Sequence, residues 1–133
     1  MKIVVLDDSP TIQMFIESYL EELGVDEDEV FTFESGFEAL KFIKRQGADI
    51  VFSDINMPKM SGYDFARKLF SMKPQLRSSF FAISGDETRE SYMKMKRNGA
   101  RRFIKKPINI DHFNHFVAPE VVKRRNLEKK VLY

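Results

Sequence analysis

Apolar residues fall along this chain in two alternating textures. Short unbroken runs stand at 3–6, 50–53 and 80–84. Runs of that length without polar alternation predict strands buried on both faces. Val30-Phe31-Thr32-Phe33 is a shorter candidate with edge character. Arg102-Phe103-Ile104 takes its strand assignment mainly from its place in the alternation.

Between the runs, apolar residues recur at helical spacing. The first such segment holds Ile12, Phe15, Ile16, Tyr19, Leu20 and Leu23. Ser9 suits its cap, Pro10 its first position, and Gly24 its end. The second covers about 36–45, with Phe37, Leu40 and Ile43 on one face and Gly47 as the stop. The third covers about 63–72, ahead of Pro74. The fourth covers 87–97, with Tyr92 and Met95 inward and Asn98-Gly99 as the stop. Strand and helix thus alternate five times, which predicts an α/β parallel sheet with helices on both faces and right-handed crossovers.

The C-terminal region is less regular. Ile110, Phe113, Phe116 and Val117 have helical spacing, with Asp111 near the start. Pro119 is expected to kink or restart that helix. Residues 120–133 carry Lys123, Arg124, Arg125, Lys129 and Lys130 against Glu120 and Glu128. They read as a helix extension with Val121, Val122, Leu127 and Val131 partly inward, or as a basic solvated tail, the simpler reading. The division is therefore one domain over 1–118 and a basic extension or tail over 119–133.

Composition narrows the function classes. The chain has 133 residues, 43% hydrophobic and 32% charged, which suits one domain with its own core. The formal charge of +2 gives no whole-chain argument for nucleic acid or membrane. The absence of cysteine excludes disulfides, thiolate metal sites and cysteine nucleophiles. It also fits a reducing compartment, so a cytoplasmic location is expected. No apolar run approaches the roughly 20 residues of a membrane span. The opening 1–6 resembles the start of a signal peptide, but Asp7-Asp8 cuts it short. Thirteen Phe and no Trp indicate a core packed with Phe. Asp26-Glu27-Asp28-Glu29 reads as a solvated loop.

In an open parallel sheet, the loops at the carboxyl ends of the strands form the site. Here those ends read Asp7-Asp8, Asp54, Ser84-Gly85 and Lys105-Lys106-Pro107. Clustered carboxylates repel, and a hard divalent cation such as Mg²⁺ removes the conflict. Asp54 can then serve as a nucleophile forming an aspartyl phosphate. Lys106 supplies a mobile positive charge, and Ser84 a hydrogen bond to a phosphate oxygen. Pro107 is a candidate cis-proline. Each residue alone reads as a cap, a turn or a solvated side chain. Their convergence on one sheet edge is what carries the functional reading.

Asp7-Asp8, the run Ser53-Asp54-Ile55-Asn56-Met57-Pro58-Lys59-Met60-Ser61-Gly62, Ser84-Gly85 and Lys106-Pro107 resemble a response-regulator receiver domain over about 1–117. The resemblance implies a flavodoxin-like, doubly wound five-stranded sheet of order 2-1-3-4-5 with five helices. It implies Asp54 as the phosphoacceptor and Mg²⁺ held by Asp7, Asp8, Asp54 and the backbone carbonyl of Asn56. Ser84 and Lys106 would contact the phosphate, and Phe103 would be the switch aromatic. Asn56 and Asp86 would tune phosphate lifetime, though Asp86 reads equally as a helix cap. Pro58 and Gly62 would shape the loop after the acceptor.

The implied partners are a histidine kinase or phosphotransfer protein and an unidentified downstream protein target. Dimerisation on phosphorylation stays open. The domain alone implies no nucleic acid or membrane binding, and a signalling phosphoacceptor rather than an enzyme on outside substrates. The switching face would be the fourth helix, fifth strand and fifth helix, where Lys94, Lys96, Arg101 and Arg102 are candidate partner contacts. Departures from the family pattern are Ser61 for a common Asp, Ser84 for Thr, Phe103 for Tyr, and the interrupting Pro119. Alternatives are a receiver cut from a hybrid kinase or DNA-binding regulator, and a scaffold that is never phosphorylated. A phosphatase with D-x-D-x-T after its first strand does not match Asp7-Asp8-Ser9-Pro10-Thr11. His112 and His115 read as ordinary surface or half-buried residues.

Overall fold

The computed structural model describes residues 1–85 and 88–132. Its five strands are β1 (Ile3–Leu6), β2 (Val30–Phe33), β3 (Ile50–Asp54), β4 (Phe80–Ser84) and β5 (Arg102–Lys105). All pair in parallel, in the order β2-β1-β3-β4-β5. The α-helices are α1 (Pro10–Glu22), α2 (Gly36–Gln46), α3 (Gly62–Met72), α4 (Arg89–Arg97) and α5 (Ile110–Leu132). Short 3₁₀ turns at Glu27–Glu29 and Pro74–Ser79 lead into β2 and β4.

The unbroken apolar strands are explained by the two cores they serve. Successive side chains of a strand point to opposite faces. Val4, Leu6, Val51, Phe80 and Ala82 therefore pack with Ala39, Ile43, Phe65, Leu69 and Met95 of α2, α3 and α4. Their neighbours Ile3, Val5, Ile50, Phe52, Phe81, Ile83 and Ile104 pack with Ile16, Leu20, Phe113 and Val117 of α1 and α5. Phe52 stacks between Phe81 and Phe113, with ring centroids 5.1 and 5.6 Å away. Each fully buried Phe contributes about 2–3 kcal/mol.

Helix starts follow local chemistry. The Ser9 hydroxyl accepts from Ile12 N–H, and Pro10 opens α1. The Ser61 hydroxyl accepts from Asp64 N–H to open α3. The fourth helix begins at Arg89, where the Thr88 hydroxyl accepts from Ser91 N–H at 3.2 Å. Position 87, its expected start, lies outside the described residues.

Two expectations are corrected. Phe15, Phe37 and Phe116 have helical spacing but are exposed. The helices present a narrower arc to the sheet than their apolar residues cover, so Phe15 stacks instead along Tyr19. The second correction is at Pro119, which does not restart the helix; α5 runs through it to Leu132. Pro119 is exposed, so the carbonyl that loses its donor, that of the exposed His115, can turn to water.

The segment beyond is docked as helix rather than a solvated tail. Val122 and Leu127, expected partly inward, are exposed, because the segment's contacts are made by Glu120, Val121 and Arg125. Val121 is buried in the second core, and buried Glu120 accepts from Ser79 Oγ at 2.9 Å and from Arg102 at 3.2 Å. Arg125 donates to Glu29 at 2.7 Å and to the carbonyl of Gly24 at 3.1 Å.

Candidate functional site

Strand register assembles the site. Leu6 pairs with Ser53, so Asp7 emerges beside Asp54. Asp54 pairs with Ile83, and Ser84 pairs with Lys105, one residue before Lys106. Lys106 N–H donates to the Ser84 carbonyl at 2.6 Å, which holds the chain beside β4 as it leaves β5. The Lys106–Pro107 peptide is cis.

Carboxylate oxygens of Asp7, Asp8 and Asp54 lie within 4.8 Å of one another. Asp7 and Asp54 are buried, whereas Asp8 is exposed. Lys106 Nζ sits 3.4 Å from Asp7 Oδ2 and 3.5 Å from Asp54 Oδ2. Asp7 Oδ1 accepts from Ser9 N–H at 2.8 Å, and Asp54 Oδ1 from Asn56 N–H at 3.3 Å. Above them opens a cleft of about 540 Å³ lined by Asp8, Asp54, Asn56, Gly85, Lys106 and Pro107.

Electrostatics at the site are unbalanced. Burial, reinforced by the charge of Asp7, pushes the Asp54 carboxyl up to about 6 despite the opposing pull of Lys106. Burial also raises Asp7, against the Ser9 N–H and Lys106. Asp7 Oδ2 is buried and accepts no hydrogen bond. One ammonium facing three clustered carboxylates leaves negative charge uncompensated. An all-oxygen donor set whose buried Asp7 Oδ2 meets only the Lys106 ammonium, at 3.4 Å, fits a hard divalent cation such as Mg²⁺.

The remaining candidates divide between the two faces of the sheet. Asp54 shares the strand parity of Phe52, toward α1 and α5, whereas Ser84 shares that of Ala82, toward α4. Phe103 is half-buried on the α4 side, its ring 4.4 Å from that of Tyr92. Asn56 is exposed at the cleft wall. Asp86 lies outside the described residues. His112 and His115 are exposed, each edge-on to Phe116.

Loop geometry after the acceptor depends on Gly62. Its N–H donates to the Ile55 carbonyl at 2.8 Å. A Cβ there would fall on the Asp54 carbonyl and come within 2.6 Å of Ile55 Cα. Sequence reasoning missed Gln13. Its side-chain amide donates to the carbonyls of Asp7 at 2.8 Å and Phe33 at 3.2 Å, bracing the turn that aims Asp7. A polar residue on the otherwise apolar inner side of α1 was the available signal.

A parallel 2-1-3-4-5 sheet with an acid cluster and a lysine at its carboxyl edge defines the receiver class of signalling domains. The model of the response regulator receiver domain matches residues 3–118, and the chain belongs to that family. It is thus a receiver of two-component signal transduction. The chemotaxis protein CheY-3 of Vibrio cholerae is 27% identical over 107 residues, covering 80% of this chain and 81% of that protein. The autoinducer sensor kinase/phosphatase CqsS of Vibrio cholerae is 29% identical over 118 residues, covering 88% of this chain. The sensor protein EvgS of Escherichia coli is 28% identical, covering 99% of this chain. The chain spans only 17% and 11% of those two larger proteins.

Among solved structures, a receiver domain protein from Clostridium thermocellum superposes with TM-score 0.76 at 28% identity, covering 99% of this chain and 98% of that one. The receiver of sensor histidine kinase PA1611 from Pseudomonas aeruginosa shares the fold, with TM-score 0.76 at 21% identity and coverage of 90% and 96%. That structure holds a magnesium ion in its active site cleft.

Proposed function

We propose that Asp54 accepts a phosphoryl group from a histidine kinase or histidine phosphotransfer protein, and that the new charge shifts the face formed by α4, β5 and α5. The observation that carries this reading is the placement of the Asp54 carboxylate between Lys106 and the Asp7–Asp8 pair on an open cleft. A carboxylate oxygen of Asp54 forms the new O–P bond as the P–N bond of a phosphohistidine breaks, and the imidazole leaves neutral because its other ring nitrogen already carries a proton. Lys106 neutralises charge on the phosphoryl oxygens, as phosphoryl transfer requires. Asp7, Asp8, Asp54 and the Asn56 carbonyl would hold Mg²⁺. When bound, that ion neutralises the carboxylates and the phosphoryl oxygens.

Once formed, the phosphate draws in the Ser84 hydroxyl and the Lys106 ammonium. Ser84 and Phe103 sit on the α4 side of the sheet, so movement there alters Phe103–Tyr92 packing and biases two conformations of the face. Asn56, at the cleft wall, sets how readily water reaches the phosphorus. The chain acts as a cytoplasmic phosphoacceptor that assists its own phosphorylation and dephosphorylation, not as an enzyme on outside substrates. The coverage of CqsS and EvgS favours a second reading, a receiver segment of a larger sensor kinase. No helix among the described residues is long and apolar enough to cross a membrane.

The test is incubation with Mg²⁺ and a small-molecule phosphodonor, followed by intact-mass measurement. Wild type gains one phosphoryl group and Asp54→Asn gains none; a gain that persists in the variant refutes the assignment.

A further inference from the structure

The near-neutral total of this chain hides a steep internal division. Residues 1–66 carry 14 acidic against 5 basic side chains, and residues 67–133 carry 17 basic against 6 acidic. Sheet order turns this into a division in space. The connections at the β2 edge belong to the acidic half, and β4, α4 and β5 to the basic half. Such a field steers charged partners and selects their sign.

Within the basic half, a groove of about 340 Å³ runs between α3 and α4, lined by Tyr63, Asp64, Arg67, Lys94, Arg97 and Asn98. Lys94 crosses from α4 to lie over the Tyr63 ring of α3, 4.9 Å from its centroid. Its only carboxylate neighbour within ion-pair reach among the described residues is Glu90 at 3.7 Å. Arg67 meets Asp64 at 3.2 Å, yet 64% of its side chain stays exposed, so water screens the pair. The Arg97 side chain is exposed and, among the described residues, makes no ion pair or hydrogen bond. Three cations, Arg67, Lys94 and Arg97, thus stand against two carboxylates, Asp64 and Glu90, beside a half-buried aromatic ring.

We propose that the α3–α4 groove docks an acidic segment of a protein partner. Carboxylates of the segment meet Arg67, Lys94 and Arg97, with Lys94 held in place over the Tyr63 ring. The groove's size suits a few side chains rather than a continuous polyanion. Asp64 in its wall can accept a peptide N–H, a donor that a phosphate backbone does not have. This separates an acidic protein from nucleic acid as the occupant. The proposal does not depend on phosphorylation of Asp54 or on a bound metal.

The test uses the full unphosphorylated chain, without Mg²⁺, and fluorescence anisotropy. The probe is a short fluorescein-labelled peptide of Asp, Glu, Leu and Tyr. A labelled single-stranded oligonucleotide and the same peptide with Asn and Gln for Asp and Glu serve as comparisons. The acidic peptide binds saturably, and the neutral peptide binds at least about tenfold more weakly. A Lys94→Glu, Arg97→Glu double variant weakens the acidic peptide about tenfold or more. Arg97→Lys retains binding within about threefold. A Lys44→Glu, Arg45→Glu variant at the end of α2, outside the groove lining, leaves binding within about twofold. Matching thermal midpoints show that the variants are folded. The proposal is overturned by absent saturable binding, equal loss in the α2 variant, or tighter binding of the oligonucleotide at the same salt.

Discussion

Lys106 reaches Asp54 across a strand that lies between them. β3 and β5 do not pair; β4 separates them. Their backbones are therefore about 10 Å apart at the usual strand spacing. The four-carbon stem of Lys106 spans that gap and places Nζ 3.5 Å from Asp54 Oδ2. Lys106→Ala is expected to slow phosphorylation by small donors about a hundredfold, the scale of losing one charge-stabilising group. Lys106→Arg restores only part of it, because a planar guanidinium is not a compact point charge. Time courses of intact mass check both; wild-type rates in Lys106→Ala would remove the lysine from the mechanism.

Metal-free stability should fall as pH rises from about 4 to 6. The Asp54 carboxyl stands at about 6 in the fold against 3.8 unfolded, so the folded state binds more protons in that window. Its contribution is fully present below the unfolded value and lost as pH passes the folded one. The loss is at most about 3 kcal/mol. Urea midpoints measured against pH show this slope in wild type and a flatter one in Asp54→Asn. Saturating Mg²⁺ is expected to flatten it as well, by competing with the proton.

Gly62→Ala should both destabilise the fold and impair phosphorylation. The added Cβ meets backbone on Asp54 and Ile55, which cannot swing aside as a flexible side chain would. The expected cost is about 1–3 kcal/mol. Chemical denaturation gives the first effect and phosphorylation rate the second. An alanine variant with wild-type values in both would show that the loop yields.

The clamp between α5 and the turn before β2 has an acid signature. Hydrogen bonds from Arg125 hold the Glu29 carboxyl down to about 2, against 4.5 unfolded. That stabilisation is present above 4.5 and is lost as pH falls toward 2. Arg125→Ala is expected to lower stability by about 1–2 kcal/mol at neutral pH and to flatten the acid limb. An acid limb identical to wild type would mean that Glu29 finds another partner.

Much of this protein was legible in local chemistry. Strand runs, the Ser9 and Ser61 caps and the glycine stops depend on neighbours in sequence, so residue type alone carries them. The ends of four strands named Asp7, Asp8, Asp54, Ser84 and Lys106 because parallel topology sends every carboxyl end to one edge. Phe15 and Phe37 were misjudged because helical spacing marks an apolar arc without saying how much of it a sheet covers. Gln13 was missed because its two carbonyl partners come from strands that only the fold brings together.

The sequence by itself determined the element order, the acid and lysine positions and the division of charge between the two halves, since these follow from residue types along one dimension. Tertiary structure decided the rest. Register placed Asp7 beside Asp54, and Lys106 reached both over β4. The interactions of Glu120 and Arg125 with Arg102, Ser79 and Glu29 docked the expected tail as helix, despite Pro119. Those contacts join residues far apart in the chain, and their geometry exists only once the sheet has ordered its strands.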